Sequence, residues 1–310
     1  MSAALLPLFA IILLGAVAAR TGYVPAQTIA PISAFVVRIA LPALIFGAVT
    51  SAPLGEAINP GFLSGYAAAS LAVLTAGIAA GRLVFGLPVA QAAVLGLGMA
   101  NSNSGFMGYP IALTLIGGAA APMLAQCMIV ENILIIPLAM ILIDTGGRGA
   151  GAGRVMAILA VALRSPIIVA VVAGLVVSAS GLGLPSAVAD AVAMLSRIAA
   201  PIALFVVGAT VATAPLGGMA GPLAAVAAGK LVLHPIAVFA ALSLMPGVDP
   251  TTLAGGVVFA AVPMLSIFPL LAQRAGMGVV AASALLATTL LSFATLSVAV
   301  LPMIAPLLGR

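Results

Sequence analysis

Five side chains in this sequence could do chemistry where charge is costly. Arg38, Glu131, Arg197, Lys230 and His234 all fall inside long apolar stretches. Ionisable groups at membrane depth are rare, and by default they mark substrate or ion pathways. Glu131 lies mid-stretch, beside Asn132 and five residues after Gln126. A lone carboxylate there suits a group that takes up and releases a proton, the alternative being a structural pair with a buried base. Lys230 and His234 are four residues apart, so on a helix they share a face, and Pro235 follows them. Lys230 could attract an anionic substrate, neutralise the carbonyl ends of broken helices or pair with Glu131; snorkelling is its structural alternative. Arg38 and Arg197 each precede a proline by four residues and read as scaffold.

The stretch that should organise these groups is Asn101-Ser102-Asn103-Ser104-Gly105, inside an apolar run from about residue 90 to 116 that also carries Gly98, Gly108 and Pro110. Four amide and hydroxyl side chains in a row are expensive in hydrocarbon, and a Gly/Pro-punctuated segment cannot keep a regular hydrogen-bond ladder. It belongs in a protein-lined cavity. A helix that breaks near the bilayer midplane is the site architecture of secondary transporters.

The composition agrees. Of 310 residues, 65% are hydrophobic and 5% charged, far from the roughly one-quarter charged content of soluble domains. This is an all-α, multi-pass integral membrane protein. The net charge of +5 does not indicate nucleic acid, because the basic residues are scattered singly. The single cysteine, Cys127, excludes an internal disulfide and reads as packing. One histidine cannot build a zinc site, no Walker or dinucleotide motif occurs, and no metal or cofactor is expected. Ala16-Val17-Ala18 resembles a cleavage site, but no basic n-region precedes it, so the first span is expected to be retained.

Hydropathy and Gly/Pro punctuation place ten spans near residues 3–19, 28–49, 61–81, 90–117, 122–143, 164–180, 188–211, 222–245, 251–272 and 278–308. Asp144 to Arg154 is glycine-rich and reads as a flexible linker. If the spans alternate, Arg20, Arg82, Arg148, Arg154, Arg164 and Arg274 share one side, opposite Glu56, Asp190 and Asp249. The positive-inside rule makes the arginine side cytoplasmic and both termini periplasmic, with Arg310 the exception.

An internal repeat is visible. Arg38-Ile-Ala-Leu-Pro42 returns 159 positions later as Arg197-Ile-Ala-Ala-Pro201, and the same offset pairs Pro7 with Pro166, Gly15 with Gly174, Phe46 with Phe205, Pro110 with Pro269 and Gly117 with Gly276. The offset covers five spans, an odd number, so the second half enters the membrane inverted. The expected fold is two inverted five-helix repeats, residues 1–143 and 164–310, joined by a cytoplasmic linker at 144–163, with broken helices crossing at spans four and nine. The second break should include Pro263, Ser266 and Pro269.

Two motifs carry a family resemblance. Asn103-Ser-Gly-Phe-Met-Gly-Tyr-Pro110 and Leu41-Pro-Ala-Leu-Ile-Phe46 resemble the auxin efflux carrier family, which contains plant PIN transporters and bacterial permeases for malate or malonate. The resemblance covers essentially the whole chain. It implies a scaffold of spans 1, 2, 6 and 7 and a transport domain of spans 3–5 and 8–10 that moves like an elevator. It also implies an organic-anion site at Asn103 and the polar residues of span five, with Glu131 where plant members often carry glutamine. Lys230, Pro235 and Pro263 match the basic residue and prolines of spans eight and nine.

The reading is a secondary transporter of a small organic anion in a bacterial inner membrane, and not an enzyme. Expected substrate-binding residues are Asn101, Asn103, Ser104, Gln126, Asn132, Pro263 and Ser266. Glu131, Lys230 and His234 would carry charge or coupling, and Gly105, Pro110 and Pro269 would shape the crossover. Proton and sodium both stand open as coupling ion, and a homodimer as the assembly. The alternatives are a sodium-coupled symporter of the bile-acid type, disfavoured by having one intramembrane acid, and a membrane receptor that binds without moving its ligand.

Overall fold

Backbone polar groups in hydrocarbon must be satisfied within the protein, which favours helix throughout. The computed structural model describes residues 2–51, 58–146, 151–181, 183–213 and 217–309, and among them there is helix and no strand. The helices are α1 (Ser2–Arg20), α2 (Ala26–Ser51), α3 (Pro60–Leu83), α4 (Val89–Ala100), α5 (Tyr109–Ile116), α6 (Ala120–Ile129), α7 (Ile136–Thr145), α8 (Ala152–Leu163) and α9 (Pro166–Ser180). They continue with α10 (Ser186–Ala212), α11 (Ala220–Ser243), α12 (Pro250–Ala261), α13 (Phe268–Ala272) and α14 (Gly278–Ile304). Glu56, Arg148 and Arg310 from the topology argument lie outside the described residues.

Six helical runs among the described residues are long and apolar enough to cross a membrane, seven if α8 and α9, bent by 60°, count as one. The run Val89–Thr145 has 57 residues, roughly 85 Å of helix against a hydrocarbon core of about 30 Å, so it cannot be one straight crossing. It is interrupted at Asn101–Asn103 and turns at Gly117, whose φ of +60° only glycine adopts without strain. The linker differs from expectation over its second part. Residues 147–150 lie outside the described residues, while Ala152–Leu163 is helix, its apolar residues having good helix propensity.

Five widened turns share one setting. The residue just before Pro42, Pro110, Pro137, Pro235 and Pro302 donates its N–H to the carbonyl five residues back: Leu41 to Val36, Tyr109 to Ser104, Ile136 to Glu131, His234 to Gly229 and Leu301 to Leu296. Proline has no N–H and its ring presses on the carbonyl four residues earlier, so the turn ahead of it opens into π geometry. Three of these turns, Ser104–Gly108, Val130–Ile135 and Gly229–Leu233, contain Ser104, Glu131 and Lys230.

The helices associate in two groups. α1 packs on α10, and α2 on both α9 and α10. α3 packs on α4 and α11, α11 on α12, and α4 on α7. The first group is held by direct backbone contact. A Cβ at Gly15 would collide with the Phe205 carbonyl, and one at Gly208 with the Ile12 carbonyl. A Cβ at Gly174 would press on Val49 and reach the Phe46 carbonyl. Gly15 and Gly174, like Phe46 and Phe205, are 159 positions apart, so the contacts of α1 on α10 and of α9 on α2 use positions related by that offset. Small residues at helix crossings are the usual means of close packing in lipid. Large side chains such as Leu13, Val176 and Leu290 stay exposed on outer faces, where lipid covers them.

Replacing Gly208 by leucine should separate α1 from α10. The expected loss is about 1–3 kcal/mol of stability or more, read as a lower unfolding temperature of the purified protein. An unchanged transition would mean that this backbone contact does not hold the group together.

Candidate functional site

Two helix interruptions face each other. α4 ends at Ala100, and Asn101, Ser102 and Asn103 are non-helical before the turn Ser104–Gly108 begins. α12 ends at Ala261, and residues 262–267 are non-helical before α13. Each break frees a set of backbone groups that need partners. Asn103 supplies several. Its N–H donates to the Pro263 carbonyl at 2.8 Å, and its Nδ2 donates to Ser266 Oγ at 2.9 Å. Its own carbonyl accepts from the N–H groups of Met107 and Gly108.

Lys230 ties the same junction together from α11. It is fully buried, and its Nζ donates to Ser102 Oγ, to the Ala260 carbonyl at 2.8 Å and to His234 Nδ1 at 2.8 Å. An ammonium has three donors and all three are spent. One of them neutralises the C-terminal end of α12, where the helix dipole is negative. Because an ammonium only donates, Nδ1 of His234 accepts, so Nε2 carries the ring proton and donates to Ser70 Oγ at 3.0 Å. Of the three roles open to Lys230 in the sequence, its hydrogen bond to the Ala260 carbonyl corresponds to neutralising the end of a broken helix.

Glu131 is 2% exposed, on the wide turn ahead of Pro137. Its Oε1 accepts from Ser104 Oγ at 2.6 Å and from Tyr66 Oη at 3.3 Å. No salt bridge joins it to Lys230 among the described residues. The two charges instead hold adjacent hydroxyls of one break, Ser104 and Ser102.

Beside the junction lies a cavity of about 120 Å³, large enough to hold water. Asn101, Asn103, Ser104, Gly105, Glu131, Asn132 and Ser266 line it from one group of helices, while Ser33, Val37 and Leu41 of α2 and Ile167 of α9 close it from the other. Asn101 is 1% exposed, and neither its Nδ2 nor its Oδ1 has a hydrogen-bond partner. A buried carboxamide without partners costs stability, about 1–3 kcal/mol per group.

The remaining expected site residues fall elsewhere. Lys230, His234, Pro263, Pro110 and Pro269 shape the junction without lining the cavity. Gln126 is turned away, its Oε1 accepting the Asn59 N–H at 2.9 Å. Five residues of helix separate Gln126 from Glu131, and side chains meet at spacings of three and four. Asn132 borders the cavity, with its Nδ2 on the Met128 carbonyl. Cys127 is buried and in no disulfide among the described residues. Arg38 and Arg197 are exposed and make no ion pair among the described residues.

The sequence points to none of Tyr66, Ser70 and Ser33, and Ser102 stands in its organising stretch without an assigned role. Tyr66 and Ser70 have the i, i+4 spacing that drew attention to Lys230 and His234, and that spacing was the available signal.

The family model described as "Membrane transport protein" matches residues 1–302. A protein of Rhizobium meliloti (strain 1021) named "Putative malonate transporter" is 32% identical over 127 residues, covering 41% of this chain and 40% of that relative.

Lys230→Met should destabilise the protein, because it strands the Ala260 carbonyl, Ser102 and His234 in the interior at about 1–3 kcal/mol per unsatisfied group. Thermal unfolding measures this. A variant as stable as the parent, with only substrate binding lost, would return Lys230 to the substrate.

Proposed function

The chain belongs to the membrane transport protein family, the auxin efflux carrier family of its sequence resemblance, and from that premise we propose that it is a secondary transporter of a small organic anion. The observation that carries the proposal is the Asn101 carboxamide, buried at the edge of a small cavity with both its donor and its acceptor unspent. A carboxylic acid or carboxylate completes such a group, since its oxygens accept from Nδ2 and its acid proton, when present, donates to Oδ1. The cavity suits a short acid. A mono- or dicarboxylate of a few carbons fills it, in keeping with the name carried by the Rhizobium relative, although that likeness spans less than half of either chain.

The fold we infer behind this function is ten spans in two inverted five-helix repeats, residues 1–143 and 164–310, crossing at the two breaks. The 159-residue offset, the paired glycine contacts and the facing interruptions support it. The grouping of contacts supports an elevator-like movement. α1, α2, α9 and α10 form the scaffold, and the remaining helices carry the binding residues past it. The cavity lies between the two groups, so sliding one against the other changes which side it opens to. Asn101, Asn103, Ser104 and Ser266 are the substrate residues in this reading. Gln126 is withdrawn from them, and Pro263 acts through its carbonyl on Asn103. The arginine-rich side is cytoplasmic and the membrane is a bacterial inner membrane.

Glu131 is the carboxylate at the cavity, hydrogen-bonded to the same break that holds the substrate. Proton coupling through Glu131 therefore follows: protonated, it stops repelling an anion and its proton travels with the substrate.

Liposome flux tests both halves of the reading. Asn101→Ala should reduce uptake of a three- or four-carbon dicarboxylate at least about tenfold, the equivalent of 1.4 kcal/mol, without lowering the unfolding temperature, since the parent carboxamide has no partner to lose. Glu131→Gln should make the residual flux independent of a pH gradient. Unimpaired flux in Asn101→Ala removes the substrate from this cavity, and flux that follows sodium and ignores pH replaces the proton as coupling ion.

A further inference from the structure

A second cavity, of about 810 Å³, lies under α8 and has a different chemistry. Its walls are apolar, formed by Met140 of α7, Ile158 and Val161 of α8 and Leu271 of α13. Its rim is basic, with Arg154, Arg164 and Arg274 set against the single acid Asp144. The Asp144 side chain is 9% exposed and pairs with Arg154 Nη2 and Arg274 Nη1, each at 3.0 Å. The two arginine side chains stay 54% and 58% exposed, and the Arg164 side chain makes no hydrogen bond or ion pair among the described residues. A guanidinium has five N–H donors, so one carboxylate leaves most of this set unspent.

Two positive charges in excess at the mouth of an apolar cavity select a molecule with an anionic head and a hydrocarbon body. We propose that this cavity binds an anionic phospholipid, with the phosphate on Arg154, Arg164 and Arg274 and an acyl chain between α7, α8 and α13. A short carboxylate could meet the arginines but has no apolar surface to fill the walls. A zwitterionic lipid brings its own cation, which competes for the phosphate. The position is right for a headgroup. Asp144 closes α7, Arg164 sits at the 60° bend between α8 and α9, and Arg274 follows α13, all at ends of apolar helices where basic residues meet the membrane interface. α8 carries one charge, Arg154, and is largely exposed, as suits a helix lying among lipid. Asn132 and Ile136 line both cavities, so the lipid borders the one beside the helix breaks.

The test is thermal unfolding of the full-length protein in detergent with added phosphatidylglycerol, phosphatidylcholine or glycerol 3-phosphate. Phosphatidylglycerol should stabilise, and the other two should not. Arg164→Gln breaks no ion pair and should weaken phosphatidylglycerol binding about fivefold, the effect of roughly 1 kcal/mol per basic residue at a membrane surface. Asp144→Asn frees two guanidiniums and should strengthen it. Equal stabilisation by both lipids, stabilisation by glycerol 3-phosphate alone, or an affinity unmoved in Arg164→Gln overturns the proposal. None of these readouts depends on flux, so the result stands apart from the transport reading.

Discussion

The bond on which the rest depends is the one between two interrupted backbones, from the Asn103 N–H to the Pro263 carbonyl. A helix that stops in an apolar interior exposes donors and acceptors with no water to take them. One break by itself would be costly; two breaks placed face to face satisfy each other. The second bond, from Asn103 Nδ2 to Ser266, fixes the register of that meeting, and the Lys230 ammonium removes the negative end of α12. The junction is therefore a rigid platform rather than a loose polar patch, and the cavity inherits its shape from it.

This rigidity explains how the ionisable groups are divided. A buried charge persists only where its hydrogen bonds are met. Lys230 has every donor occupied and faces the junction. Glu131 accepts two hydroxyls on one oxygen and borders the cavity. Asn101 is the opposite extreme, a group with all of its bonding capacity unmet. Its two unmet groups stand next to a satisfied framework.

The sequence made the first break legible because Asn101-Ser-Asn-Ser-Gly105 has no other inexpensive place in an apolar chain. It reached Ser266 by way of the 159-residue offset, and Pro263 by that offset and the family resemblance, since nothing in that second stretch is polar enough to stand out. Lys230 and His234 were legible as a pair from their spacing, but which neighbour the lysine meets is decided by α12, which sequence spacing cannot place. Gln126 shows what composition leaves open. Composition put a polar residue in span five, and helical phase turned it to the Asn59 N–H. Tyr66 and Ser70 share the i, i+4 spacing of Lys230 and His234, but two hydroxyls on an apolar helix name no partner until the helix packed against them is known. The bond of Asp144 to arginines 10 and 130 residues away is equally tertiary.

Proline placement links the fold to the chemistry. Each widened turn lies just ahead of an X-Pro step, where the ring denies the helix its regular bond. A wide turn shifts the phase of the residues after it and leaves carbonyls loosely held, which allows a side chain to leave the face that regular helix would give it. Ser104, Glu131 and Lys230 all sit on such turns. Pro201, the repeat equivalent of Pro42, lies in α10 with no widened turn ahead of it, so proline permits this geometry without imposing it. What selects it is packing. Three turns are wide where three helices must deliver a polar group to one junction, and in α10 the neighbouring surface is the glycine-mediated contact with α1, which a shifted helix would break. The prolines thus supply the freedom, and the need to satisfy buried polar groups decides where it is used.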